Sequence, residues 1–162
     1  MRKNNTVFLF YGEGGHKTEM KALLSRLNNL REDVNYIGLV EGKGVIGKIK
    51  NYHLIPMRSK YNKLFTLFLI PCCLFYNTLK VLFLLMKYRP RGIISTGPGS
   101  VFFPAVICKI LGKKIVYVET CTRFNTKSLT AKFMYRLANK FYVQNTELLE
   151  LFPKSICAGV LL

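Results

Sequence analysis

Short unbroken apolar runs alternate along the chain with amphipathic stretches at helical spacing. Val7–Tyr11 (VFLFY) reads as a strand that runs into Gly12, Gly14 and Gly15 and then His16. Lys17–Leu30 places Met20, Leu23, Leu24, Leu27 and Leu30 on one face of a helix, and Val34–Val40 (VNYIGLV) reads as the second strand. A strand–helix–strand unit of this length implies a right-handed parallel crossover, and so an α/β domain. Tyr52–Pro56 predicts a short strand, Gly92–Thr96 (GIIST) a buried one, and Val101–Leu111 a helix with Pro104 tolerated in its first turn. Lys114–Val118 (KIVYV) is the next strand. Ser128 is placed to cap a helix over Leu129–Ala138, with Leu129, Phe133, Met134 and Leu137 facing inward. Lys140–Gln144 predicts a strand, Glu147–Phe152 a short helix and Ile156–Val160 a closing strand. With no repeat and no linker, residues 1–162 predict one Rossmann-like domain, a parallel sheet flanked by helices.

One segment departs from this rhythm. Leu64–Met86 (LFTLFLIPCCLFYNTLKVLFLLM) is the most hydrophobic part of the chain, and as one helix it would reach about 35 Å, enough to span a bilayer. Pro71 would kink such a helix, and Asn77 and Lys80 are costly in a lipid core. Both flanks are basic, with Arg58, Lys60 and Lys63 before it and Lys87, Arg89 and Arg91 after, which favours both ends on the cytosolic side. Residues 64–87 therefore predict one or two helices lying in the membrane interface. Lys60, Lys63, Leu64, Phe65, Phe68, Leu69, Phe75, Leu82 and Phe83 are the expected contacts, and the protein is expected at the cytoplasmic face, peripheral or shallowly inserted. A buried core helix is the alternative.

Charge sharpens that picture. Twenty-five Lys and Arg against eight acids give +17, so anionic partners are expected: phosphates, acidic lipid surfaces or nucleic acid. The basic residues flank an apolar segment and do not alternate with exposed aromatics, which favours lipid over nucleic acid. The five cysteines are odd in number and lack a C-x-x-C pair, so a reduced interior without zinc is expected. Met1–Asn5 is polar and has no signal-peptide character.

The candidate chemistry sits at the strand ends. Glycines leave backbone N–H groups uncovered, and the helix that follows carries partial positive charge at its start, so Gly12, Gly14, Gly15 and His16 suit an anion such as a diphosphate. Gly97, Gly99 and Ser100, in the turn after Gly92–Thr96, should reach the same sheet edge, because ligands of open parallel sheets bind at the carboxyl ends of the strands. Glu119 and Arg123 arrive there from the Lys114–Val118 strand and could pair with each other. Glu19 lies in the first helical turn. A helix N-terminus lowers an imidazole pKa, so His16 is expected neutral, able to act as a base or as an anchor. His53 reads as structural or surface. Lys17 stands where a dinucleotide fingerprint needs its third glycine, although Glu41 lies where such a fold places its ribose-binding acid. An NAD-dependent enzyme therefore stays open as a rival, with Glu41 otherwise a solvated loop carboxylate. Asp33 is the only aspartate, which excludes an Asp-x-Asp metal site, and neither a metal nor a cofactor is expected.

The ordered set GEGGHKTEM, RPRGIISTGPGSVFFP, VYVETCTRF, SLTAKF, FYVQN and CAGVL resembles bacterial polysaccharide-biosynthesis proteins of the PssD and CpsF type. That family includes the eukaryotic membrane-anchor subunit of the split UDP-N-acetylglucosamine transferase of dolichol-linked oligosaccharide assembly. The resemblance covers nearly the whole chain. It implies the acceptor-side half of a split GT-B glycosyltransferase, similar to the N-terminal domain of MurG. It further implies a polyprenyl-diphosphate-linked sugar acceptor at the glycine loop and a UDP-sugar donor held by a separate catalytic subunit, serving capsule, exopolysaccharide or a related glycan. Glu13 and Lys17 stand where the family often has Ser and Thr, and Gln144-Asn145 where it has Gln-Trp.

Overall fold

The computed structural model describes residues 5–30, 33–47, 49–56 and 63–161, with side chains left out at 28–30 and 63–69. Seven strands form one parallel sheet: β1 (Thr6–Tyr11), β2 (Asn35–Glu41), β3 (Lys50–Leu54), β4 (Gly92–Ser95), β5 (Lys114–Val118), β6 (Lys140–Val143) and β7 (Ile156–Cys157). Their order across the sheet is β3-β2-β1-β4-β5-β6-β7. The order reverses between β1 and β4, whose registers pair Phe8 with Ile93 and Phe10 with Ser95. The loops that leave these two neighbours turn to opposite sides and open a crevice at the strand ends.

Helices α1 (Gly15–Leu30), α2 (Lys63–Tyr88), α3 (Phe102–Ile110), α4 (Leu129–Leu137) and the short α5 (Leu148–Leu151) complete the fold. The pleat of β1 divides the core in two, because successive side chains point to opposite faces. Leu9 and Tyr11 pack with Met20 and Leu24 of α1. Phe8 and Phe10 join Leu84 of α2, Ala105 of α3 and Met134 of α4 in a larger cluster on the other face. Among the described residues α1 is thus the helix on one side, and α2, α3, α4 and, through Leu148, α5 lie on the other.

Helix α2 is a single helix that contains Pro71, where one or two were expected. Its two costly polar residues face inward. Asn77, 2% exposed, donates to the Ile55 carbonyl (2.8 Å) and accepts from the Ile55 N–H (2.9 Å), tying the helix to the end of β3. Lys80 donates to the carbonyl of His53 (2.7 Å). The outer face is apolar, with Phe75 and Phe83 exposed and Leu82 half-buried. Among the described residues α2 is the one helix long and apolar enough to cross a membrane, by length and composition. Lys60 lies outside the described residues, as do the side chains of Lys63, Leu64, Phe65, Phe68 and Leu69.

Several boundaries differ from expectation. β3 begins at Lys50, ahead of Tyr52, because it pairs in register with Ile37–Glu41 of β2. β7 is cut to Ile156–Cys157, since its pairing with β6 ends at Val143. Ser128 caps α4 through its side chain, accepting from the Ala131 N–H (3.0 Å). Met134 and Leu137 of α4 face inward as expected, but Leu129 and Phe133 are exposed and Ala131 is buried instead. Apolar residues at helical spacing do not say which side meets the sheet.

Candidate functional site

The loop after β1 and the turn after β4 meet over His16. Thr96 donates from its hydroxyl to the His16 carbonyl (2.9 Å), fixing the first turn of α1 against the end of β4. Gly97 has φ of +118°, and a Cβ there would sit 2.9 Å from His16 Cε1, so only glycine lets the imidazole lie against this backbone. Gly12 packs beside Pro98 and His16. Gly14, with φ of +63°, makes the turn into α1, and around both Gly14 and Gly15 there is open space.

That space is the edge of a cavity of about 340 Å³, lined by Gly15, His16, Gly97, Tyr117, Glu119, Thr120, Arg123 and the start of α4 at Ser128 and Thr130. Five candidates from the sequence, Gly15, His16, Gly97, Glu119 and Arg123, therefore share one cavity. Gly12, Gly14 and Gly99 support its loops without lining it. The Ser100 hydroxyl is directed elsewhere, donating to the Glu41 carboxylate at the end of β2. Glu41 is thus a bonded tie between two strand ends and not the solvated loop acid expected.

Glu19 lies behind His16 and is 1% exposed. Its Oε1 accepts from Thr120 Oγ1 (2.9 Å), the Cys121 N–H (2.8 Å) and Gln144 Nε2 (3.1 Å). Its Oε2 lies 3.8 Å from His16 Nδ1, a charge contact longer than a hydrogen bond. Neither atom has a hydrogen-bond partner among the described residues. This contact corrects the expected lowering of the imidazole pKa. The Glu19 carboxylate, working against burial, raises the His16 pKa above its ordinary 6.5. Burial pushes Glu19 up, but His16, Cys121 and Thr120 outweigh it and hold the carboxyl below its ordinary 4.5. A full carboxylate at contact distance outweighs the partial charge of a helix end.

Glu119, also 1% exposed, accepts from the Tyr117 hydroxyl (2.9 Å). Burial raises its pKa above 4.5, with Tyr117 and the charge of Arg123 pulling the other way. The expected Glu119–Arg123 pair is replaced: Arg123 donates to Thr126 Oγ1 (3.0 Å) and acts on Glu119 only through its field. Its exposed guanidinium stays at the cavity rim.

The acid that intrudes on the glycine loop is turned away from it. Glu13 accepts from the Lys43 N–H (2.6 Å) and lies against Gly42, where a Cβ would collide with its carboxylate. His53 is structural, its Nδ1 2.7 Å from the Gly42 carbonyl oxygen in the same loop. The sequence reading missed Gln144 and Asn145 as parts of the site. Gln144 also donates to the Glu119 carbonyl (2.9 Å), and Asn145 donates to the carbonyls of Cys121 (2.8 Å) and Arg123 (2.6 Å), shaping the loop after β5. Two amides directly after β6, on the ligand edge, were the available signal.

Known proteins match this chain in sequence and in fold. The family described as oligosaccharide biosynthesis protein Alg14 like matches residues 7–161. The UDP-N-acetylglucosamine transferase subunit ALG14 of Homo sapiens is 28% identical over 98% of this chain and 83% of its own length. That of Saccharomyces cerevisiae is 29% identical over 99% and 78%. Among solved structures, Acinetobacter baumannii MurG superposes with a TM-score of 0.64 at 13% identity, covering 85% of this chain and 40% of its own. S. aureus MnaA in complex with UDP gives 0.69 at 12% identity, covering 97% and 44%. The chain spans less than half of each of these two structures, and the likeness establishes the fold: a MurG-like half of a GT-B architecture.

Proposed function

The chain belongs to the family of Alg14-like oligosaccharide biosynthesis proteins, and from that premise we propose that it is the membrane-docked, acceptor-side subunit of a two-component UDP-sugar transferase. One observation carries the reading: His16, Gly97, Glu119 and Arg123 converge on one cavity at the switch point of a half GT-B fold. In this reading residues 1–162 are a single acceptor-side domain that works without a metal or cofactor of its own. A separate catalytic subunit holds the donor. The α1 side of β4–β6 supports such a partner, since Ile94, Val116 and Tyr142 line an apolar groove of about 740 Å³ on the uncovered sheet face.

The acceptor is a polyprenyl-diphosphate-linked sugar. Its phosphates meet the open backbone at Gly14 and Gly15, at the positive end of α1, with Arg123 at the rim as counter-charge. Gly12, Gly97, Gly99 and Ser100 hold the two loops that frame them. His16, neutral at the moment of transfer, accepts the proton of the attacking hydroxyl, and Glu19 stabilises the imidazolium that forms. Glu119, with its raised pKa, contacts sugar hydroxyls in the cavity. Helix α2 lies on the bilayer at the cytosolic face: Asn77 and Lys80 bind the body of the domain, so one face of the helix belongs to protein and the other to lipid. The product is a lipid-linked glycan of the capsule or exopolysaccharide kind, as for PssD- and CpsF-type proteins.

Sugar transfer from radiolabelled UDP-sugars to native membrane lipid tests this, with the chain alone, its catalytic subunit alone, both together, and both with His16→Ala. Activity only with both, lost with His16→Ala, is expected. Transfer by the chain alone would overturn the two-component reading.

A further inference from the structure

Three separate stretches of the chain meet on one buried amide behind the cavity. Gln144, directly after β6, is 3% exposed, and its Nε2 donates to Glu19 Oε1 of α1 (3.1 Å) and to the Glu119 carbonyl at the end of β5 (2.9 Å). Its Oε1 accepts from the N–H of Leu161 (2.9 Å), whose own carbonyl accepts from Arg26 of α1 (3.2 Å). This amide cannot be turned over, because two acceptors face its nitrogen and a donor faces its oxygen. A glutamate of the same shape would set a third carboxylate against those acceptors.

The consequence falls on His16. All three donors to Glu19, from Gln144, Thr120 and the Cys121 N–H, bond the same oxygen, Oε1. The other oxygen faces His16 Nδ1 at 3.8 Å, and neither of these two buried atoms has a hydrogen-bond partner among the described residues. An imidazolium and a carboxylate left to themselves close to about 2.8 Å; here the carboxylate is held from its far side. We propose that Gln144 is a positioning residue for sugar transfer: it anchors Glu19 Oε1, so that the carboxylate stands beside His16 without bonding it. Glu19 is then near enough to stabilise an imidazolium and too far to retain the proton. This rests on the reading of His16 as the base. Gln144 and Leu161 also line the apolar groove on the uncovered sheet face, so the anchor is set from the side on which the catalytic subunit is proposed to dock. The other titratable groups around the pair are Tyr117, Glu119 and Arg123 in the cavity and Cys121 beside Glu19. Residues 96–101 after β4 and residues 158–161 contain none.

The chain has two histidines, so imidazole NMR signals of the full-length protein follow each one, with His53 on the edge strand β3 as the reference. Gln144→Met keeps the side-chain length and removes both donated bonds. Released on that side, the carboxylate closes on His16, and the His16 titration is expected to move to higher pH by about half a unit or more. In the reconstituted pair the acidic limb of the rate profile should move with it: transfer falls about threefold on the acidic side and recovers at alkaline pH. A purely structural loss would lower the rate at every pH. An unmoved titration makes Gln144 a bond of the fold alone, and one moved to lower pH means that Gln144 holds the carboxylate near and not off; either overturns the proposal. Should the variant not fold, the unaltered protein decides. Its Gln144 side-chain N–H signals are expected to titrate with His16, because the imidazolium draws on the same carboxylate, and signals indifferent to that titration overturn the proposal. A raised His16 titration with an unchanged rate profile overturns His16 as the base, and so the functional reading, while the placement of Glu19 by Gln144 stands.

Discussion

His16 Nδ1 lies 3.8 Å from Glu19 Oε2, one turn along α1, while the other oxygen of Glu19 accepts three hydrogen bonds from residues after β5 and β6. The imidazole is therefore set against a carboxylate that cannot swing away. Glu19→Gln keeps the shape and removes the charge. The His16 pKa, raised by Glu19, should fall toward 6.5, so the acidic limb of the transfer-rate profile shifts to lower pH and the maximal rate drops about tenfold or more. A pH–rate profile of the reconstituted pair reads both; an unshifted limb separates Glu19 from catalysis.

The same contact links stability to pH. His16 binds its proton more tightly folded than unfolded, so its contribution is complete below 6.5 and fades as pH rises through the higher folded value. Glu19 has a depressed folded pKa, so its contribution is present above 4.5 and fades as pH falls through the lower folded value. Both are present together between about 4.5 and 6.5. Denaturant unfolding of wild type and Glu19→Gln should differ most in that window and less above the raised pKa of His16, where the carboxylate keeps only its bonds from Thr120, Cys121 and Gln144.

Two glycines of the site should respond oppositely. A Cβ at Gly97 meets His16 Cε1 at 2.9 Å from a backbone with φ of +118°, so Gly97→Ala should cost about 2 kcal/mol and displace the imidazole. At Gly15 nothing lies within 4 Å, so Gly15→Ala should leave the melting temperature nearly unchanged. Its methyl would instead project toward the cavity Gly15 lines, raising the acceptor KM. Thermal unfolding beside acceptor titration separates the two.

How much of this was legible in the sequence depends on the range of the signal. The strand runs, the glycine turns and the Ser128 cap are local, and β1, β4, β5 and α4 lie within a residue or so of where the pattern puts them. The pairing of the two loops followed from topology, since β1 and β4 are neighbours at the point where strand order reverses. What failed was partner choice among polar groups. Arg123 bonds Thr126, Glu41 takes Ser100, and Glu19 gathers donors from residues 101, 102 and 125 positions away. On α4 the expectation divides: Met134 and Leu137 face inward as the spacing predicts, whereas Leu129 and Phe133 are exposed and Ala131 is buried in their place.

Helix α2 provides the sharpest contrast between neighbours in sequence. Leu84, 2% exposed, packs in the core with Phe8 and Ile93, whereas Phe83 beside it is 59% exposed on the outer face. Leu84→Ala removes buried methyl groups and leaves a cavity, and should cost about 2–5 kcal/mol. Phe83→Ala removes surface that meets nothing in the core, so unfolding should change by less than about 0.5 kcal/mol. Lipid should reverse that ranking: Phe83→Ala loses vesicle partition severalfold, because a phenyl ring leaves the interface, while Leu84→Ala retains it at temperatures where the domain is folded. Denaturant unfolding and vesicle flotation of the two variants supply both measurements. Equal partition of Phe83→Ala and wild type would mean that the outer face of α2 does not meet lipid.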